Sequence, residues 1–95
     1  MPDELVWENA KISDAFIGIE DHGIFAFCIT FSGGVWSQGT GAYVFCPNKV
    51  EKICRTFGPW SDLEGKLVRV GRNSSGRIMA IRDIMDDDKE VVFNA

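Results

Sequence analysis

The chain has 95 residues, of which 45% are hydrophobic and 25% charged, a composition typical of a soluble globular protein. This length predicts a single domain over residues 1–95. A domain of this size buries only about two thirds of the surface that its unfolded chain exposes, so its core is thin and a second copy would stabilise it. No run approaches the roughly 18 uninterrupted apolar residues of a membrane span, so we expect no membrane partner.

The N-terminus and the cysteines bear on the compartment. Residues 1–4 are acidic where a signal peptide would be basic, and the three cysteines are odd in number and lack a Cys-x-x-Cys pair. We therefore predict a cytoplasmic protein with reduced thiols, no metal site and no cofactor.

The formal net charge of −4 is unevenly distributed. Residues 49–82 hold eight basic and only three acidic residues, a net charge of +5, whereas residues 1–48 and 83–95 carry −5 and −4. A basic middle between acidic ends fits an anion-binding surface, an electrostatic dimer interface or a solvated surface of ion pairs. Duplex nucleic acid is not expected as a partner, because proteins that bind it are usually basic overall.

The first half of the chain reads as strands. Residues 5–12 and 15–20 predict two short strands around a turn at 13–14, and a turn at 21–23 leads into the strongest strand, 24–31. Both faces of that strand are largely apolar, which is typical of a central strand covered on both sides. One helix can cover one face, so we expect a partner subunit on the other.

The second half predicts hairpins around one helix. Ser32-Gly33-Gly34 favours a tight turn into a strand that begins at Val35 and runs through Tyr43. Apolar positions at helical spacing predict a helix from Pro47 or Asn48 to Phe57. The remaining predicted elements are a single turn at 61–64, a hairpin of strands 67–72 and 77–84, and a last strand at 91–93. The predicted fold is α+β, a mostly antiparallel sheet with one main helix packed on it, in a homo-oligomer.

Catalytic chemistry is not indicated. His22, the single histidine, lies in an Asp-His-Gly turn with no neighbouring nucleophile, and Cys46 beside Pro47 has no partner base. Asp86, Asp87 and Asp88 lack the glycine and terminal glutamate of a calcium loop. We therefore expect a protein that is not an enzyme and has no catalytic residues.

A ligand site is more plausible around Gly39, Thr40 and Gly41. Glycines let a backbone approach a phosphate, and the flanking Trp36 and Tyr43 offer stacking surfaces. The segment lacks the lysine and crossover helix of a nucleotide-binding loop, and a bulged, twisted strand explains the same residues.

Arginines near this segment add to the hypothesis. At least one of those in the second hairpin should face the inner or interface side of the sheet, where a guanidinium needs a carboxylate or phosphate. The predicted ligand-binding residues are Trp36, Gln38, Gly39, Thr40, Gly41, Tyr43, Arg69, Arg72, Arg77 and Arg82.

Several segments resemble a known series in small phage proteins. They are Glu8 to Ile12, Gly18 to Ile24, Gln38 to Tyr43, Leu63 to Val70 and Gly76 to Ile78. The family they resemble is the first Thoeris anti-defence family, oligomeric sponges that sequester cyclic nucleotide immune signals such as glycocyclic ADP-ribose without cleaving them. The resemblance implies ligands at subunit interfaces, held by arginine, aromatic and backbone contacts, in the cytoplasm of the host cell.

Two other functions remain open. An inhibitor of a host defence complex, for instance an anti-CRISPR protein, would use the acidic ends as a nucleic-acid mimic. A structural accessory that merely dimerises is the third.

Overall fold

In a computed structural model of the protein, residues 4–93 form a seven-stranded antiparallel sheet and one α-helix. The predicted α+β class is confirmed. Residues 1–3, which belong to the acidic N-terminal segment, and residues 94–95 lie outside the described part. The elements are β1 (Val6–Ile19), β2 (Phe25–Ser32), β3 (Ser37–Gly39), β4 (Tyr43–Val44), α1 (Pro47–Phe57), a 3₁₀ turn (Trp60–Asp62), β5 (Leu67–Arg72), β6 (Ile78–Asp83) and β7 (Glu90–Val92).

The long first strand organises the sheet, whose order is β3-β2-β1-β5-β6-β7, with β4 also paired to β2. One half of β1 pairs with β5 and the other half with β2, and the register shifts between Ile12 and Asp14. The predicted turn at 13–14 is therefore wrong. The Ser13 hydroxyl donates to the carbonyl oxygen of Thr30 (3.2 Å), so this polar residue forms a bulge that bends one strand instead of reversing the chain.

Strand β2 provides the centre of the core. Phe27, Ile29 and Phe31 are fully buried on its inner face, as the alternation predicts. On its outer face Ala26 is buried and Cys28 is half-buried. The inner face packs against residues of every large element, namely Ala10, Ile12, Ile53, Phe57, Leu63, Val68, Val70, Ile78, Ile81, Val91 and Phe93.

The predicted strand from 35 to 43 is divided into β3 and β4. Thr40 separates them: its backbone N–H donates to the carbonyl oxygen of Ile29 (2.9 Å), and its hydroxyl accepts from the Ile29 N–H (3.3 Å). Gly41 follows with φ +82°, a conformation that interrupts a strand and favours glycine. The alternative interpretation of this segment is a bulged, twisted strand, whereas the structure has two short strands with residues 40–42 between them.

The helix begins and ends where the sequence predicts. Pro47 occupies its first turn, where the missing N–H costs nothing, and Gly58 with φ 106° ends it. Ile53 and Phe57 are its buried residues. Among residues 4–93, no helix is long and apolar enough to cross a membrane.

Three stacked aromatic rings join the two ends of the curled sheet. Tyr43 of β4 lies between Phe27 of β2, at 5.6 Å between ring centroids, and Phe93 beyond β7, at 5.9 Å. The ammonium group of Lys49 on α1 donates to the carbonyl oxygen of Phe93. The sheet is therefore closed around the core by side chains and by α1, without a ladder between its end strands.

Candidate functional site

The β2–β3 hairpin places Trp36 over the sheet. A Cβ atom on Gly33 would lie 2.1 Å from the indole nitrogen of Trp36, a distance that no side chain can adopt. Glycine at this position is therefore what lets the indole fold back against the hairpin.

Trp36, Arg72 and Glu8 contact one another although they belong to three distant parts of the chain. The Arg72 guanidinium carbon lies 4.1 Å from the centre of the Trp36 ring, a cation–π contact. One Glu8 carboxylate oxygen accepts from the Arg72 Nη1 and the other from the indole N–H, each at 2.7 Å. The carboxylate thus fixes both the cation and the ring that it lies on.

Gln38 completes this arrangement, which we call the Trp36 cluster (Glu8, Trp36, Gln38 and Arg72). The Arg72 Nε donates to the amide oxygen of Gln38 (2.9 Å), and the Gln38 Nε2 donates to the carbonyl oxygen of Gly76 (2.9 Å). The cluster therefore connects β1, β3, β5 and the β5–β6 turn. Arg72 lies on the same face as the buried Val70, so one arginine does face the inner side of the sheet, as predicted.

Hydrogen bonds from Trp36 and, next, from Arg72 lower the pKa of Glu8, because they favour its charged form. At neutral pH Glu8 is therefore an anion that balances the Arg72 charge. The side chains of Arg72 and Glu8 retain 19% and 48% of their exposure, so both reach solvent. A guanidinium has five N–H donors, so Arg72 can bond an incoming anion while it keeps Gln38.

The structure distributes the other predicted arginines differently. Arg82 lies over Trp7 (3.9 Å) and bonds Glu90 (2.8 Å). Arg69 lies directly opposite Arg82 across β5 and β6 and bonds Asp87 at 3.3 Å, on the outer face of the sheet. Arg77 is exposed in the turn before β6, and its backbone N–H donates to the Asn73 side chain.

Some of these contacts join the basic middle segment of the sequence to its acidic ends. Three arginines of the basic middle segment pair with acids of the two acidic end segments: Arg72 with Glu8, Arg69 with Asp87 and Arg82 with Glu90. These three contacts pair opposite charges of the sequence within one copy of the chain.

The glycine-rich segment and Tyr43 do not join the Trp36 cluster. Tyr43 pairs with Phe27, whereas Gln38 pairs with Phe31, four residues away along β2. Both faces of the Tyr43 ring are covered by aromatic rings, and its hydroxyl is buried with no hydrogen-bond partner in residues 4–93. Gly39 and Gly41 flank Thr40, whose polar groups bond Ile29.

Glu8, which bonds Trp36 and Arg72, and Trp7, on which Arg82 lies, are both absent from the sequence-based site. Both residues lie in β1, which is a neighbour of β5 in the sheet although residues 20–66 separate the two strands in the sequence. Their role can therefore be recognised only when the strand order is known. No single-strand pattern shows that Glu8 reaches Trp36.

Metal-binding chemistry finds no support in the part of the chain that the structure describes. It contains no group of three or more histidine, cysteine, aspartate or glutamate residues placed to hold an ion. The Asp86 carboxylate accepts from the Asp88 N–H (3.0 Å), a contact that shapes the β6–β7 turn.

The chain was also compared with known proteins. No protein-family model, curated protein or solved structure matches it.

Proposed function

We propose that this protein is a phage counter-defence protein that binds a cyclic nucleotide immune signal, such as glycocyclic ADP-ribose, and sequesters it without cleaving it. The observation that supports this function best is the Trp36 cluster, in which the Arg72 guanidinium lies on an indole ring beside the Gln38 amide. Guanidinium groups bind phosphate in two-point contacts. The indole ring and the Gln38 amide orient the Arg72 guanidinium for such a contact.

Binding proceeds by exchange of anions at Arg72. In the free protein the Glu8 carboxylate occupies the Nη1 position, and its partial exposure allows it to turn away. A ligand phosphate then takes its place, while Gln38 keeps the guanidinium oriented through Nε. A cation whose orientation is already fixed loses little conformational entropy on binding, which favours affinity.

Sequestration requires no group that activates water or attacks a phosphate. His22, the one histidine, has an exposed ring bonded to Glu20 in the β1–β2 turn, at the far end of β1 from Glu8. The proposed function therefore rests on binding alone, and the ligand is released unchanged when the protein unfolds.

We further propose that the protein works as a homo-oligomer in the host cytoplasm. Phe16 and Val44 are exposed by 43% and 70% on the outer face of the sheet, where they pair with Cys28 and Ala26 of β2. A second copy that covers these apolar side chains would supply the surface that a thin core needs. Light scattering over a range of concentrations tests this, and a monomer at every concentration would contradict it.

Calorimetry tests the ligand. The purified protein is titrated with glycocyclic ADP-ribose, other cyclic ADP-ribose isomers, cyclic dinucleotides and linear ADP-ribose. We expect saturable heat for a cyclic member of the panel and recovery of the intact ligand after the protein is denatured. No heat at high micromolar concentrations, or recovery of a cleaved product, would overturn the proposal.

A second candidate function is inhibition of a host defence protein through the acidic β6–β7 turn. Asp86, Asp87 and Asp88 are all exposed there, which suits a mimic of a nucleic-acid backbone. Replacing all three with lysine separates the two functions. A nucleotide sponge keeps its ligand affinity after this change, whereas a nucleic-acid mimic loses its inhibitory activity.

A further inference from the structure

Strand β7 ends the sheet on one side, and its hydrogen bonds show which of its peptide groups are free of the ladder. The Phe93 N–H donates to the Met79 carbonyl oxygen, and the Asp83 N–H donates to the Lys89 carbonyl oxygen, each at 2.9 Å. In an antiparallel ladder, hydrogen-bonded and non-hydrogen-bonded pairs alternate. Residues 89, 91 and 93 therefore bond β6.

Glu90 and Val92 consequently direct their peptide groups away from β6. They lie opposite Arg82 and Ala80 in the non-hydrogen-bonded positions of the register. Because no strand of residues 4–93 pairs with β7 on its other side, the N–H and C=O groups of both residues face the open edge. Such a row of alternating donors and acceptors is a template for another strand.

A cleft of about 310 Å³ lies along this edge, between β7 and the first turns of α1. Its floor is apolar, with Ile53 and Val91 almost fully buried. Its helical wall carries two ammonium groups. The full lining is Asn48, Lys49, Lys52, Ile53, Val91, Val92 and Phe93.

The two lysines play different parts in this cleft. Lys49 is held in place, because its ammonium group donates to the Phe93 carbonyl oxygen and lies 5.8 Å from the centre of the Tyr43 ring. The Lys52 side chain is exposed, and its ammonium group forms no hydrogen bond or ion pair with the residues from 4 to 93. No acidic side chain of residues 4–93 lines the cleft, so the charge of its described lining is positive.

We propose that this cleft binds an extended acidic peptide segment of another protein, which adds to the sheet as a strand beside β7. Main-chain bonds to Glu90 and Val92 would hold the peptide backbone, and alternate side chains would face the apolar floor and the lysines. At about 3.3 Å per residue, the length of β7 accommodates about three residues of such a segment. The interaction does not depend on nucleotide binding at the Trp36 cluster.

Other occupants fit the geometry less well. A small anion can neutralise the lysines, but it has no N–H groups for the outward carbonyl oxygens of Glu90 and Val92. A second copy that paired its own β7 with this edge would bring its Lys49 and Lys52 to the same place, and like charges repel. An acidic extended peptide satisfies the donors, the acceptors and the charge together.

Nuclear magnetic resonance titration tests the proposal. Isotopically labelled protein is titrated with an acetylated, amidated hexapeptide that alternates aspartate and valine. We expect saturable shifts of the backbone amides of Glu90, Val91 and Val92 and of the first two turns of α1. The matched control is the same hexapeptide with an N-methyl group on every residue, which keeps every side chain and loses the main-chain donors of both edges. We expect it to bind about tenfold more weakly or worse.

Two variants of the protein test how its β7 edge and its Lys52 contribute to peptide binding. Val92→Pro removes an outward N–H but none of the bonds between β6 and β7, and proline is tolerated in edge strands, so we expect about tenfold weaker peptide binding. Lys52→Glu should abolish saturation. Lys11→Glu makes the same charge change at an exposed position of β1. This variant should bind the peptide with an affinity within about twofold of that of the unchanged protein.

Several results would overturn the proposal. They are the absence of saturation at millimolar peptide, equal binding of the methylated hexapeptide, and equal shifts produced by free glutarate, which would identify a small-anion site. Shifts of the β7 amides that depend on protein concentration alone would identify a second copy as the occupant. If Val92→Pro does not fold, the methylated peptide still decides the question. Loss of the nucleotide proposal leaves these outcomes unaffected.

Discussion

Two arginines of this protein lie on tryptophan rings and bond a glutamate, yet the two arrangements differ in how they are built. Arg82 lies 3.9 Å from the Trp7 ring and 2.8 Å from Glu90, and we call these three residues the Trp7 cluster. In the Trp36 cluster the corresponding distances of Arg72 are 4.1 Å to Trp36 and 2.7 Å to Glu8.

The two clusters differ in sequence range. Arg82 and Glu90 are eight residues apart and directly opposite each other in the β6–β7 pair, so a hairpin alone brings this ion pair together, although the Trp7 ring is added from β1. Arg72 and Glu8 are 64 residues apart, and the indole that covers Arg72 comes from a third part of the chain. The Trp36 cluster therefore forms only when the whole sheet is assembled.

They also differ in what they cover. The Trp7 ring lies against Gly71, where a Cβ atom would approach it to 3.0 Å, and so it covers the backbone of β5. The Trp36 cluster has the bonded amide of Gln38, which the Trp7 cluster lacks, and a carboxylate that is 48% exposed where Glu90 is 32% exposed. Similar residue types thus act as packing in one place and as a candidate ligand site in the other.

The largest expected effect separates the clusters by function. Arg72→Ala removes the proposed phosphate contact, and we expect nucleotide affinity to fall by roughly 10- to 100-fold, since a hydrogen bond to a charged group contributes about 1.5–3 kcal/mol. Arg82→Ala removes an equally stacked arginine and should change the affinity by less than about twofold. Calorimetry with the ligand found in the panel measures both. Equal losses in the two variants would show that the clusters are not functionally different.

Next in size is the effect of added methyl groups beneath the two rings. Gly33→Ala introduces a Cβ at 2.1 Å from Trp36, and Gly71→Ala one at 3.0 Å from Trp7. Overpacking of this kind lowers the free energy of unfolding by about 1–3 kcal/mol, and we expect the larger decrease for Gly33→Ala.

Urea unfolding measures the two losses, and the indole N–H resonances show which ring has moved. Gly34→Ala is the matched control, because a Cβ there would meet no atom within 4 Å. An unchanged Trp36 resonance in Gly33→Ala would contradict the packing that we describe.

A smaller effect follows from the competition at Arg72. Glu8→Gln keeps a hydrogen-bond acceptor for Trp36 and removes the negative charge that neutralises the guanidinium. We expect nucleotide affinity to rise by about three- to tenfold, because a phosphate no longer displaces an anion. Glu90→Gln makes the same change in the Trp7 cluster and should have no effect on affinity. A loss of affinity in Glu8→Gln would mean that Glu8 itself holds the ligand.

The smallest expected effect is a pH dependence. Bonds from Trp36 and Arg72 lower the pKa of Glu8 in the folded protein, so its contribution to stability is present above the ordinary carboxyl pKa. That contribution is lost as the pH falls through the lowered pKa that Glu8 has in the folded protein. The difference in urea midpoint between the protein and Glu8→Gln should therefore shrink to nothing on acidification. A difference in urea midpoint that grows at low pH would contradict a lowered pKa of Glu8 in the folded protein.

Local elements follow from the sequence because their causes are local. The helix lies between Pro47 and Phe57 because proline suits a first turn and Gly58 adopts a positive φ beyond the last one. The alternation of Phe27, Ile29 and Phe31 places three apolar side chains on one face of any strand. These signals act within a few residues and need no knowledge of the rest of the chain.

The two errors in the strand prediction have a tertiary cause. Ser13 and Asp14 have the residue types of a turn, but pairing of β1 with β2 on one side and β5 on the other makes a bulge the better use of the same residues. Likewise the strand from Val35 divides because Thr40 bonds Ile29 of the neighbouring strand. Residue types alone do not distinguish a turn from a bulge.

The residues of the candidate site also divide into those that residue type predicts and those that only the strand order brings together. Trp36, Gln38 and Arg72 were predicted from residue type, since an arginine near an exposed aromatic suits an anionic ligand. The sequence by itself determined these residue types, the α+β class and the extent of the helix. Only the tertiary structure decided that Glu8 belongs with them and that Tyr43 lies in an aromatic stack, because such contacts depend on which strands become neighbours. Strand order is a property of the assembled sheet, and no short segment contains it.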